Sequence, residues 1–208
     1  MIDVKVYNTE GAEVGQVALD EAWFGTEVNV DVLRRSVRRH QAAQRVGTAK
    51  TKSRGEIAYS TKKLYAQKHT GRARAGPRAS PTRRGGGHAF AKRPRDFSIG
   101  MPRRMRRAAT DAALLARLKD GEVLALEGLQ LSGPKTHPVA AALKACGIER
   151  SCLLVLAQHD PVLYKSARNL DRVLVRPLAD LNAYELLWPH RVVFLRSALE
   201  ALVSARKG

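Results

Sequence analysis

From residue 122 onward, short solid apolar runs alternate with longer amphipathic ones. The runs EVLALEGL (122–129), SCLLVLAQ (151–158), RVLVRP (172–177) and RVVFLR (191–196) are apolar at nearly every position. They are too short for helices and read as strands buried on both faces. Between them, PKTHPVAAALKACG (134–147), DPVLYKSARNL (160–170), ADLNAYELLW (179–188) and SALEALVSAR (197–206) read as helices. The first stops at a glycine, the second carries Pro161 early, and the last opens on a Ser197–Glu200 capping box. This alternation predicts an α/β fold: a parallel sheet with helices on both faces, a Rossmann-like three-layer arrangement.

The N-terminal part has a different rhythm. VKVYN and EVGQVAL read as two short strands joined at Thr9-Glu10-Gly11, a hairpin signal. Asn29 then suits the N-cap of a helix over 30–43. On that helix Val30, Leu33 and Val37 share one side, and Arg34, Arg35, Arg38 and Arg39 the other. Like charges at i,i+4 are mildly unfavourable in isolation. A solvated face is the plain explanation; beside a basic segment, a phosphate-contacting face is preferred. A second helix starts after Pro102, as RRMRRAATDAALLARLKDG, and stops near Gly121. Residues 1–43 and 99–208 are therefore expected to form a single globular domain.

The intervening 44–98 has neither period. It holds only seven large apolar residues, with seven glycines and three prolines. So little apolar surface cannot offset an ordering entropy of roughly 1–2 kcal/mol per residue. A structureless stretch this long inside a domain is usually functional or disordered. It is expected to be an extended arm inserted between two helices, disordered alone and ordered by a partner. With half the residues in each leg, at roughly 3.3 Å per residue, the tip reaches up to about 80–90 Å.

Charge says what the partner is. The chain of 208 residues carries a formal +18, and +13 of it lies in 44–98, where fifteen Lys and Arg face only Glu56 and Asp96. Such an excess calls for a polyanion, most often nucleic acid. A membrane surface is the rival, but the chain has no long apolar span and no basic amphipathic helix with an aromatic face. The start MIDVKVYNTEG lacks the basic-then-apolar order of a secretion signal, and 1–31 is too acidic for a transit peptide.

Candidate chemistry is thin. Gly133-Pro134-Lys135-Thr136 resembles the end of a phosphate loop, but proline replaces the glycine and offers no N–H. Cys152 with His159 and Asp160 could be imagined as nucleophile and base, yet Cys152 lies in an apolar strand, where a core thiol is commoner. Cys146 and Cys152 read as reduced core thiols, and no histidine pair has metal-ligand spacing. No catalytic residues, metal, cofactor or small-molecule substrate are expected.

The arm has the parts that RNA demands. Arginine forks grip phosphates and stack on bases, and glycines allow close backbone approach. Tyr59, Tyr65, His69, His88 and Phe90 are spaced among the cations, as base stacking requires. A generic basic tail would sit at a terminus, whereas this segment leaves and re-enters the core. The candidate RNA-binding residues are Arg34, Arg35, Arg38 and Arg39 on the first helix, and Arg103, Arg104, Arg106 and Arg107 on the second. On the arm they are Arg45, Lys50, Lys52, Arg54, Lys62, Lys63, Tyr65, Gln67, Lys68, His69, Arg72, Arg74, Arg78, Arg83, Arg84, Gly85, Gly86, Lys92, Arg93 and Arg95. Two other classes keep the arm but change its use: an α/β enzyme on nucleic acid with the arm as tether, and a DNA-compacting or regulatory binder.

Gly47-Thr48, KSRGE (52–56), Lys62-Lys63, QKHTGRARAG (67–76), Ser80-Pro81, RRGGG (83–87) and RPRDFS (93–98) occur in the order seen in the arm of the large-subunit ribosomal protein L-four family. Arg104-Met105-Arg106-Arg107, Pro134-Lys135-Thr136 and SARNL (166–170) also fit, so the chain resembles that family along essentially its whole length. The resemblance implies a structural, non-enzymatic protein of the large ribosomal subunit, bound early in assembly to 23S-type rRNA in the cytoplasm. It implies neighbouring large-subunit proteins as partners, and an arm tip lining the nascent-peptide exit tunnel. By motif match Lys62, Lys63, Leu64, Tyr65, Ala66 and Gln67 form that tip, with Lys68, Arg72 and Arg74 at it or just behind. The chain departs from the family pattern with Leu64 for proline, Ala66 for arginine and His69 for glycine.

Overall fold

The computed structural model describes residues 1–25, 27–129 and 131–207, with backbone alone for Lys207. The chain divides into two compact units, Met1–Gln41 with Gly100–Gly208, and Ala42–Ile99. The first holds a six-stranded sheet. Its strands are β1 (Ile2–Tyr7), β2 (Glu13–Leu19), β3 (Val123–Leu126), β4 (Cys152–Leu156), β5 (Val173–Pro177) and β6 (Arg191–Leu195), in the order β2-β1-β3-β6-β4-β5. All neighbours are parallel except β1 and β2, which form the expected hairpin and place an antiparallel strand at one edge.

Period-two alternation sends successive strand residues to opposite faces. Val123, Ala125, Leu153, Val155, Val192 and Phe194 enter one core. That core is covered by α1 (Val30–Ala43), α2 (Arg103–Lys119), α5 (Ala183–Leu187) and α6 (Arg196–Lys207). Leu124, Leu126, Cys152, Leu154 and Leu156 enter the other, under α3 (Thr136–Ala145) and α4 (Pro161–Ala167). Helices thus lie on both faces of an α/β sheet.

Local signals account for most element ends. The Asn29 Oδ1 accepts the Val32 N–H at 3.1 Å and starts α1. Asp160 does the same for α4, accepting from Val162 and Leu163. Gly121, just past α2, has φ +65°, a conformation that suits glycine.

Three local expectations change. Residues 179–188 do not form one helix. A 3₁₀ turn at Leu178–Asp180 is separated from α5, because the Asn182 side chain takes the Glu185 N–H at 3.0 Å and caps a new helix. Ser197 is no cap, since β6 runs straight into α6 at Arg196. Arg196 itself donates Nε to Glu200 at 3.0 Å and Nη1 to Glu127 at 2.6 Å. Of the apolar side of α1, Leu33 is buried but Val30 is exposed, lying at the helix start.

One charged side chain ties elements together. Arg117 of α2 donates Nε to the Leu186 carbonyl at 3.0 Å and Nη2 to that of Pro189 at 2.7 Å. It also bonds the Leu187 carbonyl and pairs with Glu122. The guanidinium therefore closes the C-terminal end of α5, whose last carbonyls have no helical partner.

Candidate nucleic-acid interface

In the first unit the basic residues lie on two helices. Arg34, Arg35 and Arg38 of α1 are exposed and Arg39 is half-buried. Arg34 bonds Asp31 at 3.1 Å, an exposed pair that salt screens and that contributes little. On α2, Arg103, Arg104, Arg106 and Arg107 are all exposed. Arg39, Arg103, Arg106 and Arg107 line one open groove of about 980 Å³, whose floor includes Leu114, Leu186 and Leu202. Arg34, Arg35, Arg38 and Arg104 lie outside it.

The start of α2 runs against helix electrostatics. Its first turn holds no acid, and Pro102 supplies no side-chain cap. Four arginines thus crowd the positive end of the helix dipole, where carboxylates are favoured. A local rule broken this openly points to an external anion. Changing Arg103 and Arg104 to glutamate is expected to raise stability, by about 0.3–1 kcal/mol per site, while weakening binding to RNA. Thermal unfolding and a binding titration on one preparation check both signs.

The second unit holds together by backbone bonds between its two legs. The Arg95 N–H bonds the Gly47 carbonyl at 3.1 Å, Thr51 N–H bonds Lys92 O at 3.0 Å, and His88 N–H bonds Lys52 O at 3.0 Å. Leu64 N–H reaches Gly76 O at 3.4 Å. Glycine makes the closest approaches possible. A Cβ on Gly86 would sit 1.9 Å from the Ser80 carbonyl oxygen, and one on Gly87 2.4 Å from the Arg54 nitrogen. Little apolar surface is used: Ala75 and Ala79 are its buried hydrophobic residues.

Aromatic rings in this unit are mostly engaged. Phe97 lies between the guanidinium groups of Arg45 and Arg95, at 3.8 and 4.2 Å from the ring centre. Arg78 covers Tyr59 at 5.2 Å, with Gly85 beneath the Tyr59 hydroxyl. The Tyr65 hydroxyl donates to the Ala73 carbonyl. Lys63 donates to the Gln67 side chain at 2.8 Å and the Ala75 carbonyl at 2.9 Å. So Lys63, Tyr65 and Gln67, expected at the tip, are engaged in hydrogen bonds within the unit, while Leu64 and Ala66 between them are exposed. His69 stands where a glycine is usual and has φ +64°, a left-handed turn that glycine takes without strain.

The cations have almost no acid to meet. All fifteen Lys and Arg of 44–98 are exposed, and among the described residues only Lys50 reaches a carboxylate, Glu56 at 3.4 Å. The Ser53 N–H and Lys50 hold the Glu56 carboxyl below its ordinary range. Asp96 is held low by the hydroxyl and N–H of Ser98. The two acids therefore stay charged but serve local turns, leaving the cation excess uncompensated.

Neither cysteine offers an activated thiol. Burial pushes the Cys152 thiol up to about 11 and also raises that of Cys146. Asp160 is engaged as the cap of α4. Among the described residues no helix is long and apolar enough to cross a membrane.

The model of the ribosomal protein L4/L1 family matches residues 17–205. The chain belongs to that family. It is 43% identical over 199 residues to the large ribosomal subunit protein uL4 of Symbiobacterium thermophilum, covering 96% of each chain. It is 41% identical to that of Heliobacterium modesticaldum, again over 96% of each. Against that of Rhodopirellula baltica the identity is 38%, over 96% of this chain and 90% of the relative. Membership in the L4/L1 family makes the chain a non-enzymatic, structural component of translation.

Sequence reasoning missed two features. Arg206 of α6 pairs with Asp111 and lies over the Phe24 ring at 5.6 Å. The aromatic grip of Arg45 and Arg95 on Phe97 joins residues about fifty apart, and no local pattern announces it.

Proposed function

We propose that this protein is a structural constituent of the large ribosomal subunit that binds 23S-type rRNA early in assembly. Residues 1–43 and 99–208 form the globular part, and 44–98 the inserted arm that binds RNA. The tip, Lys62 to Gln67, lines the nascent-peptide exit tunnel. Neighbouring large-subunit proteins and the emerging peptide are its other partners, and its place is the cytoplasmic ribosome.

The observation that carries this reading is the set of fifteen exposed arm cations with one carboxylate pairing among them. Exposed cations with so little carboxylate to pair with, on a glycine-lined scaffold, are matched to a phosphate backbone, and phosphate neutralisation then dominates affinity. Arg forks serve especially well, since they take phosphate oxygens two at a time.

A tagged chain expressed in a bacterial host is expected to co-sediment with the large ribosomal particle, including its early precursors. A photo-crosslinker placed at Leu64 or Ala66 is expected to label nascent peptide in stalled complexes. Sedimentation with free protein, at the top of the gradient, would refute the assembly role. Labelling of rRNA alone would refute the tunnel position.

A further inference from the structure

The arm carries one Phe or Tyr ring that the second unit leaves wholly uncovered. Phe90 is 99% exposed, while Phe97 is held by two arginines, Tyr59 by Arg78 and Tyr65 by the Ala73 carbonyl. A single exposed apolar side chain is ordinary. What sets Phe90 apart is how its backbone is held. On one side of it, the His88 N–H bonds Lys52 O at 3.0 Å, and His88 bridges Ser53. On the other, Lys92 accepts the Thr51 N–H at 3.0 Å and donates to the Thr51 hydroxyl at 2.8 Å. Adjacent residues 51 and 52 on the outgoing leg thus pin 92 and 88 on the return leg. Residues 89–91 lie between these two pins, and Ala89 and Phe90 form an exposed turn with Ala91 half-buried behind them. The two flanking alanines leave both faces of the ring bare.

We infer that Phe90 is a stacking anchor that receives an unpaired nucleobase of the RNA bound by the arm. The inference presupposes the RNA-binding reading above. An aromatic held proud of a pinned backbone loses little freedom when a base slides onto it. The exposed cations around it, Lys52, Arg54, Lys92 and Arg93, would draw in the phosphates on either side of that base. An apolar pocket on another protein would not need that ring of charge.

The full chain is titrated with deproteinised bacterial large-subunit rRNA at several salt concentrations. Phe90→Ala is expected to weaken binding about ten-fold, the scale of one lost base stack, with the salt slope unchanged because no phosphate contact is removed. Phe90→Leu should weaken it as much. Phe90→Trp should bind as the unsubstituted chain does, and its added indole emission, over the Trp23 and Trp188 background, should be quenched by the RNA. Unchanged affinity in Phe90→Ala overturns the inference. So does full affinity in Phe90→Leu with no quenching in Phe90→Trp, which would mean an apolar contact in place of a stack. Failure of the RNA-binding reading itself looks different: the unsubstituted chain would then show no salt-steep binding at all.

Discussion

Replacing Lys62, Lys68, Arg72, Arg74, Arg83 and Arg84 together by alanine is expected to flatten the salt dependence of rRNA binding. Each is exposed, and among the described residues no carboxylate pairs with any of the six. A cation that neutralises a phosphate releases a counterion, and the slope of log K against log salt changes by roughly 0.7–0.9 per contact. Six lost contacts change it by about 4–5. The unsubstituted chain should lose on the order of a thousand-fold in affinity between 50 and 200 mM salt, and the variant far less. Unit 1 contains none of the six residues, so its thermal unfolding should be unaltered. A slope that survives all six changes would remove phosphate neutralisation by the arm as the source of affinity.

Arg117→Ala is the substitution expected to damage the folded domain most. The Arg117 side chain is only 14% exposed, and its nitrogens serve three carbonyls and the Glu122 carboxylate. Burial lowers its pKa from the ordinary value, but an arginine in a protein keeps its charge. Truncation leaves the three carbonyls without their donor and Glu122 without its arginine, at a cost of about 3 kcal/mol. For a domain of this size that is a fall in Tm of roughly 6–12 °C. Circular dichroism during heating would read it directly, and a shift within about 2 °C would show that water replaces the guanidinium without loss.

The same residue shows where sequence reasoning ran out. Within RRMRRAATDAALLARLKDG, Arg117 looks like any cation on a solvated helix face. Its partners are backbone carbonyls some seventy positions away, and a carbonyl has no letter in a sequence. By contrast the strands could be read because burial on both faces forces unbroken apolar runs such as CLLVL. Asn29 could be read because a cap acts within three residues of itself. Asn182 acts by the same rule, but it sits in the middle of an apolar stretch, so its power to start a helix went unread. The basic face of the candidate site was plain from charge alone, down to Arg39, Arg103, Arg106 and Arg107. Their convergence on one groove was not, since it depends on how α1 and α2 pack. In the arm, the glycines were read as room for a partner, whereas Gly86 lies close to the Ser80 carbonyl of the same unit. Which ring would stay uncovered was decided by cross-leg bonds that no local pattern encodes.

A copy of the chain that has found no RNA presents its Lys and Arg peptide bonds in an exposed, glycine-rich ladder, while the central strands β3, β4 and β6 are covered by helices. Proteases that cut after basic residues would therefore sever surplus molecules in the middle and spare the sheet. The surface that secures a place in a particle also sets the lifetime of a molecule without one, so supply in excess of RNA would correct itself.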